Sequence, residues 1–202
     1  MSSTRFALTF DTEHWSHPSS PDVQERILDV LAGAGVRATF FIQGRWATAY
    51  PECARRIAQD GHLVGNHSHH HAPMSLLTDA GIERDVHEAE EEIVEHAGVN
   101  PRPWFRCPFG DGHDDPRVLA ALERAGYRNH HWDVEPDDWR PERTPIDLER
   151  LVVDGALAHG DGAVVLLHSW PPATIAALPA IVEGLRGGVG GASLVGLDEV
   201  AA

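Results

Sequence analysis

Lysine is absent from this chain, and its 16 basic residues are all arginine. Schiff-base chemistry and a phosphate loop of the G-x-x-x-x-G-K type are excluded, because both need an amine. Cysteine is scarce: Cys53 and Cys107 are the only two, too few for a disulfide framework, and they read as reduced thiols. No stretch of eighteen apolar residues occurs, so no membrane span is expected. Positive charge is outweighed, with a formal net charge of -15. No basic patch is present to neutralise a phosphate backbone, which excludes nucleic acid as a partner. The first residues, Met1 to Arg5, run into an apolar strand without a signal-type hydrophobic region. A cytoplasmic location is expected, unless another route or a leader outside this sequence exports the protein.

The apolar pattern alternates between strand and helix. Phe6 to Phe10 reads as a strand, and Asp22 to Leu31 as a helix with Val23, Ile27, Val30 and Leu31 at helical spacing. Ala38 to Ile42, His62 to Gly65, Trp104 to Arg106, Tyr127 to Trp132, Ala163 to Leu167 and Ser193 to Val195 read as further strands, seven in all. Helices are expected over Ala47 to Gln59, from Thr78 to Gly98, over Pro116 to Ala125, around Ile146 to Ala158, and from Ala173 to Leu185. Such alternation predicts parallel strands joined by right-handed helical crossovers in one α/β domain over residues 1–202. Gly184 to Gly191 lacks the strand-to-helix setting of a nucleotide loop and reads as a turn.

The chemistry concentrates in short segments. His67-Ser68-His69-His70-His71 places two imidazoles four residues apart, a spacing that on a helical turn puts His67 and His71 on one face. Asp11 and Glu13 follow the first strand at alternate positions and so share a side. Two histidines with one or two carboxylates suit a divalent metal, with zinc first and cobalt, nickel or manganese as alternatives. Arg106-Cys107-Pro108-Phe109-Gly110, Trp132-Asp133, Asp137-Asp138-Trp139 and Leu166-Leu167-His168 add catalytic residue types at expected strand ends.

This ordered set resembles the polysaccharide deacetylase family, also called the NodB homology domain or carbohydrate esterase family 4. That family's pattern runs T-F-D-D-G, H-S/T-x-x-H, R-x-P-Y/F, D-x-x-D-W and L-x-H, and the match extends from Phe6 to about Ser169. The resemblance implies a distorted (β/α)7 barrel, which agrees with the strand count. It further implies that Asp11 is the general base, that Arg106 pairs with it through a two-pronged contact, and that His168 is the general acid. By the same resemblance the backbone N–H of Phe109 lines the oxyanion hole. The family's second aspartate ligates the metal, but Thr12 stands there in this chain. Glu13 is the nearest replacement beside His67 and His71. The alternative leaves the metal to Asp11 and the two histidines, with Glu13 as a loop carboxylate.

A carboxylate is expected to orient His168, with Asp138 preferred and Asp133 and Asp137 also open. Of the six tryptophans, Trp139 and Trp170 flank site motifs and are the groove candidates for substrate, while Trp46 is equally placed for core or groove. The expected activity is a metal-dependent hydrolase removing N-acetyl groups from a carbohydrate such as a chitooligosaccharide or peptidoglycan, with acetyl-ester cleavage as a variant. Two other readings remain: hydrolysis of a small amide or cyclic ureide, and a carbohydrate- or metal-binding relative without catalysis.

Overall fold

Strand β1 (Arg5–Thr12) is buried from its second residue to its last, because it runs through the middle of a parallel sheet. In the computed structural model, which describes residues 4–13, 21–188 and 191–200, it pairs with three strands. These are β2 (Thr39–Ile42), β6 (Ala163–His168) and β7 (Ser193–Val195). The sheet continues through β3 (Leu63–Asn66) and β4 (Trp104–Phe105) to β5 (Arg128–Asn129), in the order β5-β4-β3-β2-β1-β6. Every pair is parallel. Beyond β5 the chain crosses to β6 and meets it at an isolated bridge between Val134 and Val165. The result is the distorted seven-stranded barrel expected from the sequence, incompletely closed on that side.

The two-residue period of β1 sets the layers. Phe6, Leu8 and Phe10 point outward into the main core with residues of the surrounding helices, among them Ile27 and Leu31 of α1 (Pro21–Ala34) and Leu178 and Ile181 of α7 (Pro172–Gly187). Burial of each such side chain contributes roughly 1.5–3 kcal/mol. The odd positions face inward: Ala7 packs with Phe41 and Leu197 low in the barrel, and Thr9 and Asp11 stand above it.

Several boundaries differ from the sequence expectation. One helix was expected over Ala47 to Gln59, but two form, α2 (Gly44–Ala49) and α3 (Pro51–Gln59). Pro51 disfavours helical geometry at the preceding residue, and Tyr50 leaves the helix at φ -131° and ψ 59°. The long helix α4 (Asp79–Ala97) begins and ends as its caps dictate: the Thr78 side chain accepts from the Gly81 N–H, and Gly98 closes the helix at φ 75°. Helices α5 (Pro116–Arg124) and α6 (Pro145–His159) start on the Asp115 cap and on a Thr144–Asp147 capping box. Helix α7 continues to Gly187 rather than stopping near Leu185, so Gly184 is helical and not part of a turn. A side chain there would meet Val153 of α6 at 2.8 Å, so glycine lets the two helices approach. Residues 189 and 190 of the expected turn lie outside the described residues.

Candidate active site

The carboxyl ends of the strands gather the predicted residues. Asp11 near the end of β1 stands in register with His168 at the end of β6. His67 follows β3, and Arg106 follows β4 and donates its N–H to the Asn66 carbonyl.

His67 and His71 converge, but not on a helical turn as expected. The segment between them is a loop in which Ser68 (φ 63°) and His71 (φ 56°) occupy the left-handed region. Side-chain hydrogen bonds replace helical ones: Asn66 Oδ1 accepts from the Ser68 N–H at 2.8 Å, and Ser68 Oγ from the His71 N–H at 2.9 Å. The other non-glycine residues with positive φ are Phe109 and Asp137, so all four among the described residues lie in the predicted site motifs. Each such conformation costs of order 1–3 kcal/mol and persists where the surroundings enforce it.

Glu13, His67 and His71 form a candidate metal-binding group. Glu13 Oε1 is 3.1 Å from His71 Nε2 and 3.8 Å from His67 Nε2, and the two Nε2 atoms are 3.1 Å apart. His67 Nδ1 faces the Arg106 carbonyl at 2.9 Å. A carbonyl only accepts, so Nδ1 carries the proton and Nε2 is a bare lone pair. Two imidazole nitrogens this close, beside a carboxylate, fit a cation that all three share, and the backbone carbonyl behind His67 is the usual orienting partner of a metal-binding imidazole. Burial works to raise the Glu13 carboxyl, but the histidines around it, His71 and His168 among them, outweigh burial and hold the group well below the usual carboxylate range. Glu13 is therefore an anion at neutral pH. Thr12 is fully buried, and its hydroxyl has no hydrogen-bond partner among the described residues.

Asp11 lies beside the group, with Oδ2 3.5 Å from His67 Nε2. Its other oxygen accepts from Arg106 Nη1 at 2.8 Å. The expected two-pronged contact is not formed: the same Nη1 also donates to Thr9 Oγ1 at 2.8 Å, and Nε donates to the His130 carbonyl. Arg106 is wholly buried, with its guanidinium carbon 4.1 Å from the Phe41 ring centre. Nη1 divides between Thr9 and Asp11, and Nη2 meets no hydrogen-bond partner among the described residues, so a single Arg106 nitrogen reaches Asp11.

His168 stands across from the group, its Nε2 3.6 Å from Glu13 Oε1. Of the three aspartates considered, Asp138 is the one that holds it: Oδ1 meets His168 Nδ1 at 2.7 Å, and Oδ2 accepts the His168 N–H at 2.8 Å and the Thr174 hydroxyl at 2.6 Å. Asp133 instead accepts from the Val164 N–H, and Asp137 is paired with Arg140 and Arg143. Burial alone would lower the His168 pKa, but Asp138, with Glu13 and Asp11 behind it, raises it to about 9.

These groups open into a cavity of about 360 Å³ lined by Asp11, Glu13, His168 and the apolar faces of Phe109, Trp139 and Trp170. Phe109 is exposed in a left-handed conformation (φ 58°, ψ 9°) with its ring centre 4.4 Å from that of His71. Trp139 is 41% exposed with Arg140 over its ring, whereas Trp46 is buried in the core. Three wall residues, Trp132, Glu135 and Leu166, were not predicted from the sequence. Trp132 donates its indole N–H to Glu135 at 3.0 Å, and both line the cavity. Trp132 belongs to a segment the sequence flagged for its aspartate, so the signal was present but attached to the wrong side chain. Cys53 and Cys107 are free and buried, and burial pushes the Cys107 thiol up to about 12, which makes it a poor nucleophile.

A parallel barrel with two histidines, two carboxylates and a carboxylate-held histidine at its carboxyl end has the layout of a hydrolase site. Residues 1–130 match the family model for polysaccharide deacetylase, and the chain belongs to that family. It is 37% identical over 166 residues to a chitooligosaccharide deacetylase of Rhizobium leguminosarum bv. trifolii, spanning 82% of this chain and 71% of that one. To the uncharacterized protein YlxY of Bacillus subtilis it is 33% identical over 162 residues, which are 80% of this chain but 48% of YlxY. The chain thus spans about half the length of that relative. Among solved structures, BA3943 of Bacillus anthracis, described as a pseudoenzyme of carbohydrate esterase family 4, superposes with a TM-score of 0.86 at 26% identity, covering 99% of this chain and 66% of that one.

Proposed function

We propose that this protein is a metal-dependent deacetylase that cleaves the N-acetyl group of an amino-sugar carbohydrate, with chitooligosaccharides as the first substrate class to test. The observation that carries the reading is that Asp11 and His168 flank the Glu13–His67–His71 group, each gripped on its far side by a buried partner. The family and its chitooligosaccharide-deacetylating relative support the substrate class.

In this reading Glu13, His67 and His71 hold one divalent ion, zinc first. Such an ion supplies a nucleophilic water at neutral pH and polarises a carbonyl. Asp11, with one oxygen held by Arg106, takes the proton from the attacking water on the other. His168 delivers a proton to the departing amine from Nε2 while Asp138 keeps Nδ1 protonated, so one tautomer and one ring orientation serve the reaction. The Phe109 N–H is assigned to the developing oxyanion. Trp139 and Trp170 offer apolar faces to the sugar, and Trp132 joins them.

The test is acetate release from N-acetylchitooligosaccharides, peptidoglycan fragments, acetylxylan and small amides, with and without chelator. Chelator-sensitive acetate release from the amino sugars supports the reading. Turnover confined to small amides would replace its substrate class, and no turnover by the metal-loaded protein would place it beside the pseudoenzyme.

A further inference from the structure

The run from His67 to His71 carries four imidazoles, and the reading above uses two. The other two, His69 and His70, lie against α4, away from the catalytic cavity. There each offers a ligand atom that lies within 4.8 Å of the other's and of a Glu88 carboxylate oxygen. We propose that His69, His70 and Glu88 form a second, weaker binding site for a first-row transition ion such as Zn²⁺, Ni²⁺ or Cu²⁺, the ions that imidazole and carboxylate donors suit.

Three observations beyond the clustering support it. First, His70 is oriented as a metal-binding imidazole is: its Nδ1 meets Asp85 Oδ1 at 2.7 Å, which leaves Nε2 as the donor atom. Asp85 is buried, and its two oxygens also accept the backbone N–H groups of His69 (3.0 Å) and His70 (3.1 Å). One carboxylate therefore fixes both histidines at the backbone. Second, His69 Nδ1 is buried without a hydrogen-bond partner among the described residues. The protein itself makes no use of that nitrogen, although a buried unsatisfied polar atom costs about 1–3 kcal/mol. Third, the neighbouring surface of α4 carries Glu88, Glu91, Glu92 and Glu95, on a chain of net charge -15, a field that concentrates cations. The site is weaker than the catalytic group because the His70 side chain is 55% exposed, whereas the side chains of Glu13, His67 and His71 are largely buried.

Zn²⁺ titration of tag-free protein, followed by native mass spectrometry, reads the two sites separately. The wild type is expected to bind two ions in sequence. His70→Ala and the isosteric Glu88→Gln are expected to keep the first ion and to weaken the second at least tenfold. A single ion at saturation, or a second ion whose affinity stays within twofold of wild type in both variants, would overturn the proposal. His67→Ala tests the catalytic group alone: it is expected to lose the first ion and keep the second, so either site fails independently of the other.

Discussion

Asp138 grips His168 with both carboxylate oxygens, one on Nδ1 at 2.7 Å and one on the backbone N–H at 2.8 Å. Because Thr174 anchors the same carboxylate, the ring, its tautomer and the end of β6 are set as one unit. Residues that act as a unit are not additive when removed. Asp138→Asn is expected to lower amide turnover by about ten- to a thousandfold, and the Asp138→Asn/His168→Ala double variant to be no slower than His168→Ala alone. Additive losses in single-turnover rates would show that the two act separately.

His168 should matter most where the leaving group most needs a proton. An amine is a poor leaving group and an activated phenolate is not. His168→Ala is therefore expected to cost roughly a hundred- to ten-thousandfold on the amide and much less on an aryl acetate. Equal losses on the two substrates would make His168 a binding residue.

The two acids after β1 should separate by metal content. Asp11 is tied to Arg106 and Glu13 to the two histidines. Asp11→Asn is expected to retain metal and lose turnover, while Glu13→Ala loses both, as measured by elemental analysis alongside acetate release. The reverse pattern would exchange their roles.

The sequence made the site's composition legible but not its local geometry. The parity of β1 already placed Asp11 and Glu13 on one side, since a strand's period of two is a local property. The caps at Thr78 and Gly98 likewise marked α4. What escaped depends on distant partners. In the His67–His71 loop the His69 and His70 N–H groups bond to Asp85 on α4, beside the local bonds of Asn66 and Ser68. Arg106 shares the nitrogen that meets Asp11 with Thr9 and gives its Nε to His130, both far from it in sequence. Choosing among Asp133, Asp137 and Asp138 required knowing that β6 runs past them, with Val134 bridged to Val165. The expected strand from Tyr127 to Trp132 shrinks to Arg128–Asn129 because its neighbour β4 offers only two residues.

A pH effect on stability follows from a histidine far from the catalytic cavity. His62 is buried, its Nδ1 accepts the Ala38 N–H at 3.1 Å, and burial, outweighing nearby Asp60, lowers its pKa to about 4. Folding thus favours the neutral ring. The stabilisation is complete above the unfolded value near 6.5 and is lost as pH falls from there to about 4. Its size is on the order of 2 kcal/mol. Urea midpoints of the chelated protein at pH 7 and pH 4.5 should fall further for wild type than for His62→Gln. Parallel declines would contradict the assignment.

The proposed metal-dependent N-deacetylase activity rests on the Glu13–His67–His71 group at the mouth of the barrel. Its most direct test is acetate release from an N-acetylchitooligosaccharide by wild type and Glu13→Gln, measured as prepared, after chelation and after Zn²⁺ is restored. The expected result is one free amine per acetate in wild type, loss on chelation, recovery with Zn²⁺, and no recovery in Glu13→Gln. Acetate release that persists in full after chelation, or survives in Glu13→Gln, would contradict the account.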